Sequence, residues 1–337
     1  MTARPRALAV MSDDAYSLLF DEPRRRRFAA LADVAEAVHA SDVDDPALHD
    51  VLAEVEVLVT SWGAPRFDAA RLARMPRLRA VFHAAGSVRP HVSDALWERG
   101  ILLTSAADAN AVPVAEFTLA AILLAGKRAL VHLRAPETTG AGWQSSVGNP
   151  RVGNLGRTVG VVGYSRIGRR VVELLRPFDG LDVLVADPFA DADAVAAAGA
   201  RLVSLEALLP QSDVLSLHAP ALPSTRHMIA APQLAALPDG ATVINTARGS
   251  LIDHDALLAE CRTGRLDAIL DVTDPEPLPR DAELRGLPNV AITPHLAGSL
   301  GTETRRLADA ALDELKAYAA GAPPRHPVRR TELEWIA

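Results

Sequence analysis

Cysteine is nearly absent. Cys261 is the only one in 337 residues, so no disulfide can form within the chain, as suits a reducing compartment. Lysine is nearly absent too: only Lys127 and Lys316 occur, while arginine and alanine abound, a bias of GC-rich coding rather than of function. Positive charge is not in excess. The formal net charge of −7 argues against nucleic acid or an anionic membrane surface as a partner. No apolar run reads as long enough to span a bilayer, and the run at residues 7–11 is too short for a signal peptide. Low-complexity segments are missing as well. The one basic run, Arg24-Arg25-Arg26-Arg27, reads as a solvated helix face. What remains is a composition that is 49% hydrophobic, ordinary for a globular protein, in a length that suits two domains.

Apolar strands are expected at residues 7–11, 55–60, 78–83 and 101–105, with helical stretches between them. A long apolar helix is expected from Val114 to about Val131, followed by a Gly-, Thr-, Ser- and Asn-rich loop over 135–156. Further strands are expected at 181–186, 214–217 and 268–270. A last helix is expected from Thr302 to about Ala320, with Leu307, Ala311, Leu312, Leu315 and Tyr318 at helical spacing.

Three apolar runs in the second half each stop at an ionisable side chain. They are Ile244-Asn245-Thr246-Ala247-Arg248-Gly249, Leu270-Asp271-Val272-Thr273-Asp274-Pro275-Glu276-Pro277 and Ala291-Ile292-Thr293-Pro294-His295. In an open α/β sheet, ligands sit beyond the carboxyl ends of the strands. A guanidinium, a carboxylate and an imidazole gathered there combine a carboxylate anchor with a tuned acid/base. That set suits reduction of a 2-oxo acid, given a hydride donor.

The donor's site is legible upstream, in Thr158-Val159-Gly160-Val161-Val162-Gly163-Tyr164-Ser165-Arg166-Ile167-Gly168. A strand runs into a tight turn, then a helix from Arg166 to about Phe178, then a second strand that ends at Asp187. Asp187 lies 24 positions after Gly163, near the spacing of the acid that binds an adenosine ribose. Gly163 permits the turn, Gly168 lets helix and strand approach, and the helix N-terminus offers N–H groups to a pyrophosphate. Ser165 replaces the middle glycine of the fingerprint, and its hydroxyl is small enough for the phosphates to approach. Tyr164 and Trp143 read as packing residues.

Other segments complete the pattern: Leu78-Arg79-Ala80-Val81-Phe82-His83-Ala84-Ala85-Gly86-Ser87-Val88, Asn110-Ala111-Val112-Pro113-Val114-Ala115-Glu116, Leu217-His218-Ala219-Pro220 and Glu276-Pro277-Leu278-Pro279. Together these motifs resemble the D-isomer-specific 2-hydroxyacid dehydrogenase family over nearly the whole chain. The resemblance implies an α/β fold of two Rossmann/flavodoxin-like doubly wound domains, each with a parallel sheet, and a cleft between them. It implies a discontinuous substrate-binding domain over 1–107 and 300–337, and an NAD-binding domain over 108–299. It further implies a cytoplasmic, homodimeric, NAD-dependent enzyme that interconverts a 2-oxo acid and a D-2-hydroxy acid.

Residue by residue, Arg248, Glu276 and His295 fall on the family's catalytic arginine, glutamate and histidine. The histidine would exchange a proton with the C2 oxygen, and the glutamate would orient it and favour its charged form. The cofactor contacts implied are Gly163, Ser165, Arg166, Ile167, Gly168, Asp187, His218, Pro220, Thr246, Ala247, Asp271 and Gly298. Substrate contacts would come from Ala85, Gly86 and Ser87 as well as Arg248, and no metal is implied. Three departures are visible: Ala85-Gly86-Ser87 stands in a glycine-rich loop with Arg89 near an acidic position, Thr273 replaces an aromatic residue, and Ser165 replaces a glycine. Arg89 and His91 offer positive charge for a second anionic group, against the plainer reading as solvated loop residues. Two alternatives share the fold. One is oxidation of formate or phosphite, which the context of Glu276 and His295 disfavours. The other is a dinucleotide-sensing corepressor like the C-terminal-binding proteins, which the short stretch after the last helix disfavours.

Overall fold

The computed structural model describes residues 4–134, 147–149 and 152–333. Trp143 and most of the loop expected over 135–156 lie outside them. The chain divides into two compact units, Met1–Asn110 with Ser299–Ala337, and Ala111–Gly298.

The first unit holds five parallel strands, β1 (Arg6–Val10), β2 (Asp33–Ala40), β3 (Val57–Thr60), β4 (Ala80–His83) and β5 (Leu102–Ser105), in the order β2-β1-β3-β4-β5. Successive residues of one strand enter opposite cores. Leu8, Val10, Leu58 and Val81 pack on one face; Ala7, Ala9, Val57, Val59 and Phe82 pack on the other. A parallel sheet covered on both faces reads as continuous apolar runs, which is why these strands were legible. β2 was not anticipated; it is an edge strand whose sequence, DVAEAVHA, carries no such run.

The helix Thr304–Ala319 buries Leu307, Ala308, Ala311, Leu312 and Leu315 in the second of these cores. Arg24 and Arg27 of the arginine run dock against it, which corrects the reading of the run as a solvated face for those two residues. Arg24 pairs with Asp309 at 2.5 Å and with Asp21 at 3.0 Å, and Arg27 pairs with Asp309 and Asp313. Arg25 donates to the Phe20 carbonyl and lies over the Tyr16 ring. Arg25 is nonetheless exposed, and it and Arg26, with a side chain 78% exposed beside Glu22, fit the expectation. Beyond the helix, the buried Glu314 carboxylate accepts from the backbone N–H groups of Arg325 and His326. The chain then runs antiparallel to β5: Thr104 faces Pro327, and Val328 N–H donates to the Leu103 carbonyl.

The second unit holds seven parallel strands, β6 (Arg157–Val162), β7 (Leu181–Ala186), β8 (Arg201–Leu202), β9 (Val214–Leu217), β10 (Thr242–Asn245), β11 (Asp267–Leu270) and β12 (Val290–Ile292). Their order is β12-β11-β10-β9-β6-β7-β8. The order reverses between β6 and β9, the switch point at which such sheets bind ligands.

The long apolar helix spans Ala107–Gly126, so it starts before Val114 and stops before Val131. It is long and apolar enough to cross a membrane by length and composition, which corrects the expectation that no run has that length. Half of its most apolar window is buried, and Ala115, Ala121, Ile122 and Ala125 belong to the core of the second unit. The helix ends at Gly126 because residues 153 and 154 cap it. Gly153 N–H donates to the Gly126 carbonyl, and Asn154 Nδ2 donates to that of Leu123. A Cβ on Gly126 would overlap the Asn154 side chain. Arg128 then turns at φ +48° and grips the buried Asp267 carboxylate with two hydrogen bonds.

Each unit buries a histidine at a strand end. His83 Nδ1 bonds Thr60 Oγ1 at 2.9 Å, and His218 Nε2 bonds Ser216 Oγ at 2.9 Å. Burial pushes both imidazoles down to about 3. Both are therefore neutral in the folded chain and take up a proton on unfolding below ~6.5. Their stabilising contribution is complete above that value and is lost as pH falls from it toward about 3. The loss reaches the order of 5 kcal/mol for each group at the acid limit. The melting temperature should fall as pH drops from about 7 to about 4, and less steeply in His83→Leu; parallel curves for the two proteins would refute this account.

Candidate active site

The glycine turn is imposed by its neighbours. β6 ends at Val162, and Gly163 follows at φ +96°. A Cβ there would lie 2.6 Å from the Ala219 nitrogen, and one on Gly168 would lie 2.0 Å from the Gly163 carbonyl oxygen. No side chain can occupy either place without moving backbone. The helix Arg166–Leu175 starts beyond Ser165 without a side-chain cap, and a helix N-terminus presents backbone N–H groups suited to an anion. Ser165 Oγ instead donates to the His218 carbonyl at 3.3 Å.

Asp187, at the end of β7, accepts from Tyr164 N–H at 2.7 Å and from Phe189 N–H at 2.8 Å, one bond on each carboxylate oxygen. The acid expected to meet a ribose therefore also holds the glycine turn, and lone pairs remain on both oxygens. Tyr164 is buried in the core, as a packing residue should be. The His218 side chain turns inward to Ser216, leaving its backbone to back the turn. The Pro220 carbonyl accepts from Thr225 Oγ1 at 2.6 Å, which closes the loop after β9.

Arg248, Glu276 and His295 follow β10, β11 and β12, three adjacent strands, at their carboxyl ends. Asn245 shapes the first of these exits. Its Oδ1 accepts from Ala247 N–H, and its Nδ2 donates to the Arg248 carbonyl. Thr246 Oγ1 meets Thr118 Oγ1 at 2.9 Å, which ties the exit to the long helix. Arg248 is half-buried, with one guanidinium nitrogen donating to the Ala247 carbonyl. Gly249 presses on the next exit: a Cβ on it would lie 2.0 Å from the Thr273 carbonyl carbon.

His295 Nδ1 and Glu276 Oε1 are 2.5 Å apart, with side chains 50% and 39% exposed. The Nδ1–H donates to the carboxylate, which leaves Nε2 as the nitrogen that can exchange a proton with a ligand. Asp271 builds the loop that presents His295. Its buried carboxylate accepts from Thr293 Oγ1 at 2.7 Å, Leu296 N–H at 2.8 Å and Ala297 N–H at 2.9 Å. The expected cofactor contact thus faces the histidine loop, and half-buried Gly298 closes that loop.

The expected substrate loop belongs to the first unit. Ala84 N–H donates to the Thr60 carbonyl, Ser61 Oγ donates to the Ala84 carbonyl, and the Ala85 carbonyl accepts from Ala106 N–H. Arg89 is exposed and donates from Nε to the Leu333 carbonyl. His91 lies 4.9 Å from the His83 ring, and burial pushes its imidazole down from the ordinary range.

The sequence pattern missed Asn245, Thr293 and Ser216. Asn245 had a visible signal, a polar residue closing an apolar strand. Thr293 and Ser216 had none, because their partners Asp271 and His218 had been assigned to a ligand.

A family model described as D-isomer specific 2-hydroxyacid dehydrogenase, NAD binding domain, matches residues 120–297. The chain is 34% identical over 315 residues to an (S)-sulfolactate dehydrogenase of Chromohalobacter salexigens, covering 91% of this chain and 98% of that protein. It is 35% identical over 285 residues to a glyoxylate/hydroxypyruvate reductase B of Yersinia enterocolitica, covering 83% and 86%. Among solved structures, the TT0316 protein of Thermus thermophilus is similar at a TM-score of 0.69 with 30% identity, over 96% of this chain and 100% of that one. The fold of the apo D-mandelate dehydrogenase of Rhodotorula graminis is similar at a TM-score of 0.82 with 24% identity, over 97% and 98%.

The glycine cradle yields a direct test. Gly168→Ala must displace the Gly163 carbonyl. It should cost about 1–3 kcal/mol in stability, seen as a lower melting temperature. It should also weaken NADH binding by about tenfold or more, read by fluorescence titration. Unchanged affinity would mean that the turn does not hold the dinucleotide.

Proposed function

The chain belongs to the D-isomer-specific 2-hydroxyacid dehydrogenase family, and from that premise we propose that Arg248, Glu276 and His295 carry its NADH-dependent reduction of a small 2-oxo acid to the D-2-hydroxy acid. The observation that carries the reading is the contact of His295 Nδ1 with Glu276 Oε1, next in the strand order to Arg248.

Arg248 is permanently charged and planar. It holds the substrate carboxylate and polarises the C2 carbonyl. His295 donates its Nε2 proton to the C2 oxygen and takes it back in the oxidative direction. Glu276 fixes the tautomer and the ring plane through Nδ1. NADH, when bound, supplies the hydride that adds to C2, so the sum is 2-oxo acid, NADH and a proton going to 2-hydroxy acid and NAD⁺. Gly163, Gly168 and the helix N-terminus at Arg166 suit the pyrophosphate, and Asp187 suits the adenosine ribose. We assign the enzyme to the cytoplasm, and to a homodimer through the long helix, where Leu124 is 41% exposed.

Purified protein should oxidise NADH with at least one of glyoxylate, hydroxypyruvate and 3-sulfopyruvate; inactivity on this whole panel would remove the proposal. His295→Ala should lower kcat by ~10²–10⁴-fold with little change in NADH affinity. Arg248→Ala should raise KM for the oxo acid and lower kcat as well. Glu276→Gln should be milder. NADH should be preferred over NADPH, because Asp187 repels a 2′-phosphate. A higher kcat/KM with NADPH would count against that assignment. Light scattering should give the mass of a dimer.

A further inference from the structure

The loop that carries Glu276 has an unusual shortage of backbone anchors. Residues 271–279 form neither helix nor strand, and Pro275, Pro277 and Pro279 supply no N–H. Side chains must then decide where Glu276 stands. Within the loop, Thr273 Oγ1 donates to the Pro275 carbonyl at 2.8 Å. After Glu276, Leu278 is buried, and Arg285 donates to the carbonyls of Leu278 and Pro279. Before Glu276, among the described residues, one ion pair reaches the loop from another segment: Arg226 to Asp274 at 3.1 Å.

Arg226 is itself well placed to act as a post. The residues after it are zipped to the segment that follows Arg248. His227 N–H donates to the Ser250 carbonyl and Ile229 N–H to that of Leu251, and Ile229 bridges Ile252. The residues before it are closed by Thr225, which bonds the carbonyls of Pro220 and Leu222. Gly249 meanwhile presses on Thr273 and on the Asp274 nitrogen. The loop after β9, the Arg248 turn and the Glu276 loop thus converge on the Arg226–Asp274 pair. His254 lies among them, near Asp253, Asp274 and His227.

We propose that Arg226 is a positioning residue: through Asp274 it holds the loop that carries Glu276, and so sets the contact between Glu276 and His295. The proposal rests on the catalytic roles given to those two residues above. The pair is largely exposed, 57% and 36%, so its worth to global stability is small. Its effect is the placement of one carboxylate.

The test is a double-mutant cycle with a readout independent of turnover. Arg226→Ala should lower kcat for the oxo acid by about two- to fivefold, the coupling expected of one such pair, with NADH affinity unchanged. Arg226→Lys should restore most of the loss, and Asp274→Asn should reproduce it. In a Glu276→Gln background, Arg226→Ala should cost nothing further. At fixed pH, the ¹⁵N resonance of His295 Nδ1, assigned with His295→Gln, should move in Arg226→Ala toward its position in Glu276→Gln. A resonance that stays in place overturns the proposal, whatever the kinetics. Equal losses in both backgrounds overturn it as well. Should the unmodified protein reduce none of the oxo acids, the functional reading fails, and the resonance alone decides whether Arg226 positions Glu276.

Discussion

The candidate site depends first on one buried carboxylate. His295 sits at φ +53°, a left-handed conformation that costs a non-glycine residue about 1–3 kcal/mol. The loop keeps that conformation because Asp271 gathers three donors from residues 293, 296 and 297 on its two oxygens, inside the protein. His295 N–H closes the same arrangement by donating to the Asp271 carbonyl at 2.9 Å. A charge buried with that many donors is rigidly placed, and the histidine beside it inherits the placement. Glu276 meets His295 from a loop with few anchors, so the two halves of the acid–base pair are held by different means.

Asp187 repeats the principle at the other end of the switch point. One carboxylate closes the glycine turn and the exit of β7 together, and still has lone pairs to offer. Asn245 does the same with a neutral amide at the Arg248 turn. In all three cases a polar residue at a strand end satisfies backbone groups in a loop at the carboxyl edge of the sheet, after its own strand or a neighbouring one. The sheet supplies the position, and one side chain supplies the conformation.

These roles also mark where the sequence stopped being readable. β7 and β9 were legible to the residue, because a strand covered on both faces must be apolar throughout. β8, two residues long, carries no such signal, and the helix from Ala107 was obscured by Pro113 within it. Arg248, Glu276 and His295 stood out because each ends an apolar run. The directions of Asp271 and His218 did not, since a residue just past a strand leaves the pleat whose alternation tells inside from outside. Arg24 and Arg27 were misread for a related reason: their partners Asp309 and Asp313 lie more than 280 positions away in the chain.

The segment that follows the helix Thr304–Ala319 has a consequence for how the protein behaves in a crowded solution. β5 ends its sheet on one side, and an unpaired strand is a template on which another chain can pair. Here the template is already occupied by residues of the same chain, held down by Glu314. The residue opposite Thr104 is Pro327, which has no N–H to present to the outside. The single antiparallel bridge thus covers part of the β5 edge, and at residue 327 it offers no outward N–H on which a further strand could pair.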